Sequence, residues 1–79
     1  MRVLLFARAR ELAGADALDV ALAAGATVGE LRQRLGLQCP RLADFAKRCA
    51  IAVNHEFADD DAPLPINAEI ALLPPVSGG

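Results

Sequence analysis

The apolar residues of this chain come in short, strand-length runs near both ends, with one stretch of helical period between them. Arg2-Val3-Leu4-Leu5-Phe6-Ala7 is a compact apolar run rich in side chains that suit a sheet. Residues 17–22 alternate, with Leu18, Val20 and Leu22 facing one way and Asp19 and Ala21 the other, the pattern of a half-buried strand. Thr27-Val28-Gly29-Glu30 then has the spacing of a capping box, in which the Thr27 hydroxyl accepts from the Glu30 amide and Glu30 reaches back to the Thr27 amide. Val28, Leu31 and Leu35 follow at helical spacing, with Arg32, Gln33 and Arg34 mainly outward. Gly36 stands where a C-terminal cap belongs.

The other segments fill in around this frame. Residues 8–13 read as one or two helical turns ended by Gly14. Pro40 opens a second short helix in which Leu42, Phe45 and Cys49 share a face. Ile51 and Val53 alternate with smaller residues as a third strand, Asn54-His55 forms a tight turn, and Glu56-Phe57-Ala58 is a short fourth strand. Asp59-Asp60-Asp61 is a solvated loop, and Pro63 and Pro65 limit regular structure after it. Glu69 to Leu73 is the last strand, with Ile70 and Leu72 on one face and Ala71 and Leu73 on the other. The order predicts an α+β fold, a mixed sheet of four to five strands with helices packed on one face. Strands 1 and 2 form an antiparallel hairpin, and a crossover from strand 2 to a later strand is right-handed if the two are parallel neighbours.

Seventy-nine residues make one domain, 1–79, with little room for a deep pocket where several catalytic groups converge. A self-sufficient enzyme is therefore disfavoured. Ten acidic against eight basic residues, with no basic stripe, argue against nucleic acid. No apolar run approaches the roughly 20 residues that span a bilayer, and because the sequence begins on a strand-like segment no signal peptide is expected. A cytoplasmic location is expected. Cys39 and Cys49 read as packing thiols in a reducing compartment; with His55 the single histidine, no metal site is predicted.

The chemistry points to the far end, Leu73-Pro74-Pro75-Val76-Ser77-Gly78-Gly79. Pro74-Pro75 stops the strand and favours a stiff, extended chain. Ser77, Gly78 and Gly79 add almost no bulk, so the flexible tail 74–79 reaches roughly 20 Å at about 3.3 Å per residue and could thread a narrow channel in another protein. Nothing on the α-carbon of Gly79 hinders attack at its carbonyl. An α-carboxyl has a reference pKa of about 3.5, so it is ionised near neutrality and is a poor electrophile. To accept sulfur it must first be activated, with adenylation by ATP the usual answer. The sequence holds no glycine-rich phosphate loop, so a partner would do this.

This ending resembles that of the molybdopterin synthase small subunit, the MoaD family. Val3-Leu4-Leu5-Phe6-Ala7 followed by Arg10-Glu11 and Gly14, Thr27-Val28 with Glu30-Leu31, and Ala52-Val53-Asn54 are similar to that family as well. The resemblance implies a ubiquitin-like β-grasp fold. It implies that Gly79 is adenylated by a MoeB-like enzyme using ATP and converted to a thiocarboxylate, with a sulfurtransferase or cysteine desulfurase as sulfur source. It implies a heterotetramer with a MoaE-like large subunit, which receives Pro74, Pro75, Val76, Ser77, Gly78 and Gly79 and carries the catalytic groups. Two successive carriers would convert precursor Z, cyclic pyranopterin monophosphate, into the dithiolene of molybdopterin. Leu73, just before the tail, Phe6 on the face it shares with Leu4, and Arg10 are the expected interface residues. Ile66-Asn67-Ala68 departs from the family's acidic residue, Gly and Asp, but Asn67 can supply the positive φ of the turn. Three alternatives stay open: a ThiS-like carrier of thiamine or another thiolation pathway, a ubiquitin-like protein modifier joined to lysines through Gly79, and a purely structural interaction domain.

Overall fold

The computed structural model describes residues 1–75. In order, they form β1 (Arg2–Leu5), α1 (Ala7–Ala13), β2 (Ala17–Asp19), α2 (Val28–Gln38), a 3₁₀ turn (Pro40–Leu42), α3 (Ala43–Arg48), β3 (Ala50–Val53), β4 (Glu56–Phe57) and β5 (Ile70–Leu73). The strands make one mixed sheet in the order β2-β1-β5-β3-β4. β1 and β5 are parallel, and the other three pairings are antiparallel. The first and last strands thus lie side by side within the sheet. β2 pairs antiparallel with β1 at an edge, as the hairpin reading expects, so a parallel crossover starting from β2 does not arise.

Two strands are shorter than their apolar runs. β1 ends at Leu5 because the Phe6 carbonyl accepts from the amides of Ala9 and Arg10 and so begins α1. β2 ends at Asp19: its ladder closes with Val20 bonded to Met1, where β1 starts, and the chain then leaves for the Ala24-Gly25 turn. Alternation in sequence carries no information on how much partner strand is available. Gly14 ends α1 in the left-handed conformation, and Asn67 adopts φ 60°, as predicted.

The capping box at α2 is formed, with the Glu30 amide donating to Thr27 Oγ1 at 3.2 Å and the Thr27 amide to Glu30 Oε1 at 3.4 Å. Val28, Leu31 and Leu35 are fully buried below it. They meet Leu42 and Ala46 on one side and Val3, Leu5, Ile51, Ile70 and Leu72 from the sheet on the other. The helices therefore cover one sheet face only.

Three expectations for this region need correction. Gly36 does not cap α2: the helix continues to Gln38 and is capped at Cys39. Gly36 is small because α3 crosses there, and a Cβ would lie 3.2 Å from both Cα and Cβ of Ala43. Arg32 does not point outward: its side chain is only 17% exposed. Nη1 donates to the carbonyls of Ala46 and Cys49, closing the C-terminal end of α3, while Nε and Nη2 donate to Asp60 Oδ1 at 3.2 and 2.9 Å. Asp59-Asp60-Asp61 is consequently not a freely solvated loop, since the Asp60 carbonyl also accepts from the Gly29 amide at 2.8 Å.

Candidate functional site

The alternation that buries Val3, Leu5, Ile70 and Leu72 sends Leu4, Ala71 and Leu73 to the opposite face of the sheet. There they line an open groove of about 320 Å³ with Phe6, Ala52, His55, Phe57 and Glu69. Phe6 is 43% and Phe57 77% exposed, so two aromatic rings flank a floor of small and aliphatic side chains. An open apolar patch of this kind is a candidate docking surface.

The polar rim is held by local geometry. Asn54 and His55 both have positive φ, 50° and 71°, which turns β3 tightly into β4. The Asn54 side chain accepts from the Glu69 amide at 2.9 Å and its own amide donates to the Glu69 carbonyl at 2.8 Å. This ties the hairpin to the entrance of β5. His55 Nε2 and Glu69 Oε2 lie 2.8 Å apart above the tie.

Leu73 ends β5 within the groove, and the exposed Pro74 and Pro75 follow directly. Proline has no N–H to continue a ladder, so the chain leaves the sheet at the groove's end. Val76, Ser77, Gly78 and Gly79, which carry the predicted chemistry, lie outside the described residues. Of the three predicted interface residues, Phe6 and Leu73 come together in the groove. Arg10 does not join them: it is exposed on α1, 3.7 Å from Asp16, and does not line the groove.

Sequence reasoning missed Ala52, Phe57, Ala71 and Glu69 as parts of this surface. Phe57 had a signal, a lone large apolar residue in the acidic stretch Glu56 to Asp61, whereas the small alanines had none. A roomier depression of about 430 Å³ lies at the other end of the sheet, beside Met1, Leu22, Leu64 and Ile66. Among the described residues Arg2 is the only titratable side chain lining it, which offers little to chemistry.

Neither cysteine lines the groove. Burial pushes the Cys49 thiol above its ordinary range, against a smaller downward pull from Arg32 and Arg48, so it is protonated and unreactive near neutrality. Among the described residues no group of three or more His, Cys, Asp or Glu side chains is arranged to hold a metal ion. No described helix is long and apolar enough to cross a membrane.

Residues 3–79 match the model of the ThiS family. The chain is 43% identical, over all of its length and 99% of the relative's, to the molybdopterin synthase sulfur carrier subunit of Escherichia coli. Its fold superposes on SAMP1, a small archaeal modifier protein of Haloferax volcanii, with a TM-score of 0.84, 30% identity and coverage of 99% and 97% of the two chains. It also superposes, with a TM-score of 0.67, 28% identity and coverage of 99% and 96%, on a chain from the complex of subunits 1 and 2 of the molybdopterin-converting factor of Helicobacter pylori. The mixed sheet, its one-sided helices and this full-length match together place the chain in the ThiS family of ubiquitin-like β-grasp proteins.

Proposed function

We propose that this protein is a sulfur carrier, the small subunit of a molybdopterin synthase, and that its own part in the reaction is to present one acyl group. The observation that carries the reading is the path of β5: it runs along an open apolar groove and passes at Leu73 straight into Pro74-Pro75. A partner seated on the groove is thereby placed at the root of the tail. The E. coli relative's name and the H. pylori complex of subunits 1 and 2 support a partner of the large-subunit type; in our reading the two assemble as a heterotetramer and the large subunit supplies the catalytic groups.

The proposed chemistry balances simply. A Gly79 carboxylate oxygen attacks the α-phosphorus of ATP on an adenylating enzyme and pyrophosphate leaves. A persulfide sulfur, furnished by a sulfurtransferase or cysteine desulfurase, adds at the carbonyl and AMP leaves; a second thiol then attacks the donor sulfur of the acyl disulfide, is oxidised with it to a disulfide, and releases the thiocarboxylate. In the large subunit that sulfur bonds a carbon of the pterin precursor as an oxygen substituent leaves, and water then hydrolyses the resulting thioester, leaving the sulfur on the precursor and the carboxylate on Gly79. ATP is a substrate of the activating partner, and the carrier needs no bound cofactor or metal. The cytoplasm, where thiols stay reduced and ATP is available, suits every step.

Intact-mass measurement after incubation with adenylating enzyme, ATP and a sulfur donor tests the reading. The expected product is the free chain with one oxygen replaced by sulfur, located at Gly79. The likeness to SAMP1 favours one competing outcome, isopeptide conjugates in place of a thioacid. A self-conjugate ladder joined through ε-amines would have to use Lys47, the sole lysine, and finding it without any thiocarboxylate would replace the carrier reading with a modifier.

The groove makes a separate prediction. Leu73→Asp puts a charge on the apolar floor while leaving the opposite, core-facing side of β5 untouched. Burying a leucine is worth about 1.5–3 kcal/mol, so affinity for the large subunit should fall roughly 10- to 100-fold in calorimetric titration. An unchanged affinity would move the interface elsewhere.

A further inference from the structure

A second groove, of about 410 Å³, lies between α2 and α3, lined by Arg32, Gln33, Gly36, Leu37, Ala43 and Lys47. Leu37 is 75% exposed and belongs to no described part of the core. The glycine keeps the floor low, because any larger residue at position 36 would press on Ala43. The surrounding surface is cationic. Residues 28–48 carry Arg32, Arg34, Arg41, Lys47 and Arg48 against only Glu30 and Asp44, and all of the cations except Arg32 are exposed.

The segment 54–69 has the opposite character. It holds Glu56, Asp59, Asp60, Asp61 and Glu69 and no lysine or arginine. Asp60 is bonded to Arg32 and Glu69 faces His55, which leaves Glu56, Asp59 and Asp61 as exposed carboxylates without an ion-pair partner among the described residues. Among them Phe57 projects from β4, an edge strand, with 77% of its surface exposed. One surface is thus an apolar hollow lined by Arg32 and Lys47 on a net cationic pair of helices, and the other an apolar knob within a net anionic segment.

We propose that the free protein forms a reciprocal dimer in which the β4 edge of each copy, led by Phe57, seats in the α2–α3 groove of the other. The two patches adjoin: Arg32, which lines the groove, bonds Asp60, three residues from Phe57. A two-fold axis therefore makes both contacts at once and closes the assembly at two copies. Each contact is small, well short of the roughly 1,200 Å² of a stable interface, and charge-matched at its rim, so the dimer is weak and sensitive to salt. Phe57 also lines the sheet groove. On the docking face proposed above, the dimer and the large-subunit complex exclude one another; the self-association itself does not rest on that reading.

Sedimentation of the full chain across a concentration series tests this without any partner. At low salt the weight-average mass should climb from 8.3 kDa toward twice that value. In 1 M sodium chloride, where the Debye length is about 3 Å, the dissociation constant should rise at least about tenfold. Leu37→Ser and Phe57→Ser should each weaken the dimer about a hundredfold or more, which corresponds to loss of two buried apolar side chains, one in each of the two contacts. Both positions are three-quarters exposed, so melting curves should overlay the parent's. Mixed together, the two variants should form a heterodimer tighter than either variant's own dimer, because one of its two contacts joins an intact knob to an intact groove. A mass of 8.3 kDa at every concentration, growth beyond two copies, a dimer indifferent to both substitutions, or no recovery on mixing would each overturn the proposal.

Discussion

Deletion of Gly79 is expected to abolish thiocarboxylate formation and to leave the melting temperature unchanged. The two outcomes separate because the chemistry and the packing draw on different parts of the chain. The described core runs from Val3 to Leu72, seven residues short of Gly79. The shortened chain would still end in a glycine carboxylate, that of Gly78, so the reacting group keeps its identity and loses only reach. One residue of extended chain spans about 3.3–3.6 Å. In a site that holds reacting atoms within contact distance, a misplacement of even 1 Å can cost roughly 100-fold in rate, and this shift is several times larger. Intact mass after incubation with the adenylating enzyme, ATP and sulfur donor reads the first outcome, and thermal unfolding by circular dichroism the second. A truncated chain that gained sulfur at the parent's rate would show that the position of the carboxylate does not matter, and the proposed function would fail with it.

Arg32→Ala is expected to cost about 2–3 kcal/mol of stability. Hydrogen bonds to a charged donor contribute about 1.5–3 kcal/mol each, and the substitution removes one cation from two carbonyls at the end of α3 and from Asp60. Arg32 is mostly shielded from solvent, so these contacts are little screened. For a domain of 60–100 residues, each kcal/mol shifts the midpoint by roughly 4–8 °C, which predicts a fall of about 10–20 °C. Asp60→Asn should cost much less, under about 1 kcal/mol, because the carboxylate is 61% exposed and its pairing is worth little more than a surface ion pair. Equal losses from the two substitutions would show that the ion pair, and not the closure of α3, holds these elements together. Thermal melts of both variants decide between them.

The order of the strands along the chain, the capping box and the tight turn at Asn54-His55 were all legible in sequence, because each depends on neighbours within a few residues; the mixed sheet followed from the order of the elements. The roles of Arg32 and Gly36 were not. Arg32 lies on α2 beside the buried Leu31, where spacing alone assigns a charged residue to solvent; its partners are Ala46, Cys49 and Asp60, 14 to 28 residues away. Gly36 looked like a helix stop because glycine serves both to end helices and to admit a close neighbour, and only the crossing of α3 decides which. The site was half legible for a related reason. Leu73 and Phe6 stood out as apolar residues on the wrong face of their strands. Phe57 joins them only because β4 folds back beside β3, and Arg10 was included on charge alone and lies apart, against Asp16.

The place of β5 between β1 and β3 has a mechanical consequence. An enzyme that draws on the tail pulls along the axis of a strand held on both flanks, so the load falls on two ladders of hydrogen bonds in shear and is shared among them. The same pull on an edge strand would load a single ladder, and a pull perpendicular to the strand would part its bonds one after another. Anchoring the tail to an inner strand lets it be tugged into a narrow channel while the rest of the molecule stays rigid behind it.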